Sequence, residues 1–258
     1  MPLIKRVFNQ LLCVTIFLIY IFFNLSLPAL AANKIDPKLE SQVLEIIRTN
    51  PNVILESVQA YQQQEQQKLQ QARQGFLQKV ANNPKSIIAQ SPTTGAAESK
   101  ILLVEFSDFQ CPYCAKAHDT LKQFMAKHKD EVTLVYKHFP LMAIHDEALP
   151  AAVSAIAAQK QNKFWEYHDI LFSNQKQLGE KLYLATATKL GLDMDKFQLD
   201  RRAADSAIRD DMKLAESIGI SGTPFFVMNG ETFSGALQVS EIEAVLTRVK
   251  QALSPIKP

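Results

Sequence analysis

Residues 101–118, ILLVEFSDFQCPYCAKAH, constrain this chain more than any other stretch. An apolar run interrupted by one acid, Glu105, has the length and composition of a buried strand. Residues 112–127 have helical spacing. At the handover stand Cys111, Pro112, Tyr113 and Cys114. Two thiols at this spacing, where a strand passes into a helix, are what a dithiol redox site requires. A thiolate is the nucleophile in disulfide exchange, and the N–H groups and dipole at a helix start favour negative charge. Cys111 is therefore expected to attack. Cys114, one turn on and deeper, is expected to resolve the mixed disulfide.

Cysteine usage sharpens this expectation. The only other cysteine, Cys13, lies in an apolar leader with Lys5 and Arg6 before it and Ala29-Leu30-Ala31 behind it. These three zones read as an export signal over residues 1–31, cleaved after Ala31, with an uncleaved membrane anchor as the alternative. An extracytoplasmic location, periplasm or equivalent, follows from either. One tight pair in an oxidising compartment suits catalysis better than stapling. Charge excludes one class of function. Of 28 Lys+Arg, two belong to the leader, which leaves 26 against 26 Asp+Glu, and no basic stripe points to nucleic acid.

Around the central stretch the chain divides into segments. Residues 33–83 read as two helices, the first opened by Asp36-Pro37 and the second by Asn50-Pro51. Leu39, Val43, Ile46 and Ile47 form one apolar face, and Ile54, Val58 and Tyr61 another. Such faces need cover, either by folding back on the main domain or by another copy, and pairing of residues 36–80 with further copies is the preferred expectation. Asn82-Asn83-Pro84 ends the second helix and Ser91-Pro92-Thr93-Thr94-Gly95 is a loop signal, so residues 84–99 read as a linker. From residue 100 a strand, a helix and a second strand at 132–136 make a βαβ unit. Residues 143–218 are helical in pattern throughout. A strand at 225–228, an Asn229-Gly230 turn, a short strand at 232–234 and a helix at 239–253 close the chain. The fold class expected is α/β, a βαβ…ββα arrangement with an inserted helical domain and an N-terminal helical extension.

Other residues carry chemistry by type and position. Glu105, buried near Cys114, is expected to exchange the proton of the resolving thiol, its pKa raised by desolvation. Thr223-Pro224 before the returning strand is expected to be cis, with Thr223 backbone groups facing the dithiol and open to an extended substrate. Pro112 and Tyr113 complete the expected substrate-contacting surface. Cys111, Cys114 and His118 offer three metal ligands, one short of a structural zinc site, and no second CxxC exists. No metal or cofactor is expected. His138, His145 and His168 read as core or capping residues, Asp108 as a solvated loop acid, and Phe164, Trp165 and Tyr167 as core of the insertion.

VEFSDFQCPYC, YKHFPL, KFWEYHDILF and GISGTPFFVMNG together resemble the DsbA-like branch of the thioredoxin superfamily, over residues 100–249. The resemblance implies a thioredoxin fold over residues 100–258, with a cis-proline at Pro224 and a buried acid at Glu105. It also implies disulfide formation in exported, cysteine-containing proteins, with reoxidation by a membrane quinone-linked partner of the DsbB or VKOR type. The sequence departs from the best-known oxidant between the cysteines, where Pro112-Tyr113 stands in place of Pro-His and looks like the glutaredoxins and DsbG. Thr223 also resembles the isomerase branch. An isomerase or reductase kept reduced by a membrane donor is therefore the second expectation, and a holdase without redox activity the third.

Overall fold

The computed structural model describes residues 36–98 and 100–254; the expected leader, with Cys13 and Ala31, lies outside them. Contacts divide the chain into two units, residues 1–62 and 63–258. In the first, helix α1 (Pro37–Thr49) begins where expected: the Asp36 side chain caps it by accepting from the Lys38 N–H at 2.9 Å. It buries no residue. Helix α2 (Pro51–Asn82) runs from the first unit into the second, where Phe76 and Val80 are buried. The unit boundary thus falls inside α2 rather than at residue 83.

Residues 84–99, read as a linker, instead contain helix α3 (Pro84–Ile88) and strand β1 (Thr93–Gly95). Strand β1 exists by pairing antiparallel with β3 (Val132–His138), which no local pattern in a Thr-Thr-Gly triplet announces. Strand β2 (Ile101–Ser107) is buried over its whole length and lies at the centre of a five-stranded sheet of order β1-β3-β2-β4-β5. It is parallel to β3 and antiparallel to β4 (Phe225–Met228), and β5 (Glu231–Ser234) forms the far edge. The β4–β5 turn needs two residues at positive φ, and Asn229 at 44° and Gly230 at 106° supply them. The Asn229 carboxamide also accepts from the Leu102 N–H at 2.7 Å and so ties the hairpin to β2.

Alternation along β2 sends Leu103 to one face, where it meets α4 (Pro112–His128) and α10 (Val239–Leu253) through Leu121, Phe124, Ile242 and Leu246. Leu102, Val104 and Phe106 point to the other face and pack with Phe76, Val80 and Ile218. Between β3 and β4 the chain builds the inserted helices α5 (Ala148–Gln159), α6 (Phe164–Ser173), α7 (Glu180–Lys189), α8 (Met194–Ala203) and α9 (Asp205–Ser217). Phe164, Tyr167, Tyr183 and Phe197 form the insertion's core; of the three aromatics expected there, Phe164 and Tyr167 are buried and Trp165 packs against them half-buried. The α/β fold expected from the sequence is the one observed.

Candidate active site

Helix α4 begins one residue after Cys111, with Pro112 in the position whose missing N–H is unneeded. The Cys111 side chain lies at the helix start, and the Cys111 thiol donates to the Thr223 carbonyl at 3.3 Å. Interaction with the Cys114 thiol is the largest influence on Cys111 and outweighs the cost of burial. With the Thr223 side chain and the Cys114 and Tyr113 N–H groups, it brings Cys111 down to about 5. Burial pushes the Cys114 thiol far up, and the neighbouring Cys111 thiolate adds to that. The two thiols are free, buried, and moved in opposite directions by their surroundings.

Behind them Glu105 occupies the middle of β2, opposite Tyr136 on one side and Phe226 on the other. Its carboxyl is 1% exposed and its Oε1 has no hydrogen-bond partner. Burial raises its pKa from 4.5 to about 7, against smaller opposing effects of Ser107 and His118. It lines a cavity of about 180 Å³ with His118, Lys122, Trp165, His168 and Asp169, so a buried carboxyl borders space that reaches the surface beside exposed Lys122. Next to Cys111, the Thr223–Pro224 bond is cis. Thr223 and Pro224 line an open depression of about 360 Å³ with Ser221, Gly222, Phe225 and Gly235. Tyr113 is 56% exposed, with the Lys116 ammonium 5.7 Å from its ring centre.

Two residues of this region have other surroundings than the sequence suggested. Asp108, read as a solvated loop acid, is buried. Its carboxylate accepts from the Gln110 N–H at 2.8 Å and the Leu141 N–H at 3.0 Å, and meets His145 Nδ1 at 2.7 Å. It fastens the loop before Cys111 to the loop after β3, and His145 acts as its partner. His118, weighed as a ligand beside the cysteines, turns to Asp169 Oδ1 at 3.0 Å. Sequence reasoning missed Gln175 altogether. The Gln175 amide donates to the carbonyls of Phe109 and Cys111, both at 2.8 Å, from a short 3-10 turn (Gln175–Gln177) in the insertion. Nothing in the polar run around it signals that contact.

His138 and His168 are core residues, as expected: burial lowers His138 to about 3 and His168 to about 4. They lie among Phe109, Tyr136 and Phe164.

A strand-to-helix dithiol facing a cis-proline, over a buried acid and within this sheet order, defines a thioredoxin-fold oxidoreductase. The thioredoxin family model matches residues 88–248, and the chain belongs to that family. A thioredoxin-like oxidoreductase from Silicibacter pomeroyi superposes with a TM-score of 0.60 at 29% identity, covering 66% of this chain and 98% of that one. A periplasmic thioredoxin-like protein from Salmonella enterica serovar Typhimurium gives 0.53 at 25% identity, over 67% of this chain and 95% of that one. The chain is also 36% identical over 155 residues to the Na(+)/H(+) antiporter NhaA 3 of Salinispora tropica, 59% of this chain but 24% of that protein. It thus spans about a quarter of the length of the curated relatives it matches. Among the described residues, no helix is long and apolar enough to cross a membrane.

Proposed function

We propose that this chain is an exported protein-disulfide oxidoreductase that forms disulfides in exported, cysteine-containing proteins. The observation that carries the proposal is the split between Cys111, held at about 5, and Cys114, pushed far up by burial. A stabilised thiolate favours the reduced dithiol, and that makes its disulfide a better oxidant. In the forward reaction a substrate thiolate attacks Cys111 Sγ of the Cys111–Cys114 disulfide. An S–S bond to substrate forms as Cys114 leaves, and the protonated fraction of Glu105, whose pKa burial raises to about 7, supplies the proton that Cys114 takes up. A second substrate thiolate then attacks the substrate sulfur and expels Cys111 as a thiolate. The substrate gains a disulfide and loses two electrons, which the reduced dithiol holds.

The depression beside Thr223 and Pro224, with exposed Tyr113 and Pro112, is where an extended substrate segment docks in this reading. A membrane quinone-linked thiol oxidase of the DsbB or VKOR type removes the electrons. Extracytoplasmic placement is supported by the leader composition and by the likeness to a periplasmic protein. The exposed apolar faces of residues 36–62 support assembly with further copies.

The deciding experiment is to trap Cys111 and Cys114 in intact cells with an alkylating agent. A mostly oxidised pair is expected. A mostly reduced pair overturns the oxidase in favour of an isomerase or reductase served by a membrane donor.

A further inference from the structure

One cluster of ligating side chains stands apart from the two thiols and shares a cavity with Glu105. His118 on α4 meets His168 and Asp169, consecutive residues on α6, and the donor atoms of the three lie within 4.8 Å of one another. His118 Nε2 is 3.0 Å and His168 Nδ1 is 3.2 Å from the same oxygen, Asp169 Oδ1. Ligands about 2.0–2.2 Å from a tetrahedral zinc ion stand roughly 3.3 Å apart, so these two edges already have the length a metal would impose. All three side chains line the 180 Å³ cavity, which leaves a coordination position open towards water or a small ligand. We propose that His118, His168 and Asp169 bind one divalent transition-metal ion of the zinc class, with its fourth position facing the cavity. Two imidazoles and one carboxylate suit zinc, copper(II) or nickel(II), and not calcium or magnesium, which take oxygen ligands.

A purely hydrogen-bonded cluster would also hold α4 to α6, but it leaves one group unaccounted for. While His168 Nδ1 donates to Asp169, the other ring nitrogen, Nε2, is buried without a partner. The ring meets Tyr136, Phe172 and Phe109 edge to face at 5.2, 4.8 and 5.7 Å. A bare lone pair gains nothing among aromatic rings. With a metal on Nδ1 the proton resides on Nε2, and an N–H against ring faces makes a weak hydrogen bond. His118 is equipped for the same change. With Nε2 on the metal, its Nδ1–H faces Asp119 Oδ1 at 3.5 Å, a carboxylate in the place from which such partners orient metal-bound histidines. The opposing feature is Lys122, whose ammonium lies 2.7 Å from Asp169 Oδ2; it is 63% exposed and free to swing to solvent. Its charge lowers the affinity, and that gives the proposal a signature.

The test uses the full chain carrying Cys111→Ser and Cys114→Ser, which removes the competing dithiol and leaves every proposed ligand in place. Titration with Co²⁺ alone, followed by visible absorption, should show one equivalent with the intense d–d bands of a low-coordinate site and no thiolate charge-transfer band. Zn²⁺ should displace it. Asp169→Asn is expected to weaken binding at least tenfold, and Lys122→Gln to tighten it several-fold. His168→Ala lies in the core, so Asp169→Asn with an unchanged near-ultraviolet circular dichroism spectrum is the deciding variant. Absence of saturable binding overturns the site, as does equal binding by Asp169→Asn. Cys13 is present in every variant and cancels between them.

Discussion

Cys111 and Cys114 share one helix end, yet one is held as a thiolate and the other as a thiol. The difference comes from partners as much as depth: the Cys114 thiol and nearby N–H groups hold Cys111 down although it too is buried, while burial and the Cys111 thiolate push Cys114 up. Alkylation of reduced Cys111 should therefore follow a thiolate that is half formed near pH 5. Rates of iodoacetamide modification against pH measure it directly, and a midpoint above 8 would contradict the geometry. Glu105 has the opposite problem, since its carboxyl must lose water to sit in β2. Folding raises its pKa from 4.5 to about 7, so the folded chain holds a proton that the unfolded chain releases. Stability accordingly falls as pH rises from about 4.5 through 7, and the cost above that window is roughly 3 kcal/mol at 1.36 kcal/mol per unit. Glu105→Gln has no such charge to desolvate. It is expected to be more stable than the parent at pH 8 by roughly that amount, to show little gain at pH 4.5, and to exchange disulfides more slowly. Urea unfolding of the reduced proteins at both pH values, with single-turnover exchange at neutral pH, tests both halves. Equal gains at the two pH values would remove desolvation as the cause.

Elements whose pattern is local were legible in the sequence. The run from Ile101 to Phe106, the Asn229-Gly230 turn and the Asp36-Pro37 start each carry their instruction within a few residues, and each forms where expected. Strand β1 was not legible, because its hydrogen bonds come from β3 about forty residues away. The same holds for what fastens the dithiol loop. Asp108 looked solvated because its partners, Leu141 and His145, are brought by a different loop, and Gln175 comes from the insertion. Thus type and spacing single out Cys111, Cys114 and Glu105, while the groups that hold the Cys111 loop are not announced by any local pattern. The Gln175 amide satisfies two backbone carbonyls at once, so Gln175→Ala is expected to cost about 1–2 kcal/mol and to loosen the Cys111 turn. Thermal unfolding of the reduced and oxidised forms measures the first effect, and hydrogen exchange at residues 109–114 the second. Loss of stability without faster exchange there would assign Gln175 to the insertion alone.

At the scale of the whole molecule, residues 36–62 expose a density of large apolar side chains that soluble monomers seldom carry. Leu39, Val43, Ile46, Ile54, Leu55 and Tyr61 are 43–63% exposed, and α1 buries nothing. Residues 63–82 behave differently. Phe76 stacks at an angle on Phe106, 6.3 Å between ring centres, and Val80 is 1% exposed, so this part of α2 belongs to the core of the catalytic unit. A truncation meant to test self-association must therefore stop at 62. Cutting at 83, where the composition changes, also removes a buried aromatic anchor worth about 3–5 kcal/mol and confounds assembly with folding. Light scattering should give the full chain a mass of two or more copies, and the chain lacking residues 36–62 the mass of one, with Cys111 alkylation unchanged. The chain lacking residues 33–83 should unfold at markedly lower temperature. A single-copy mass for the full chain would leave the apolar faces of α1 and early α2 without the partner proposed for them.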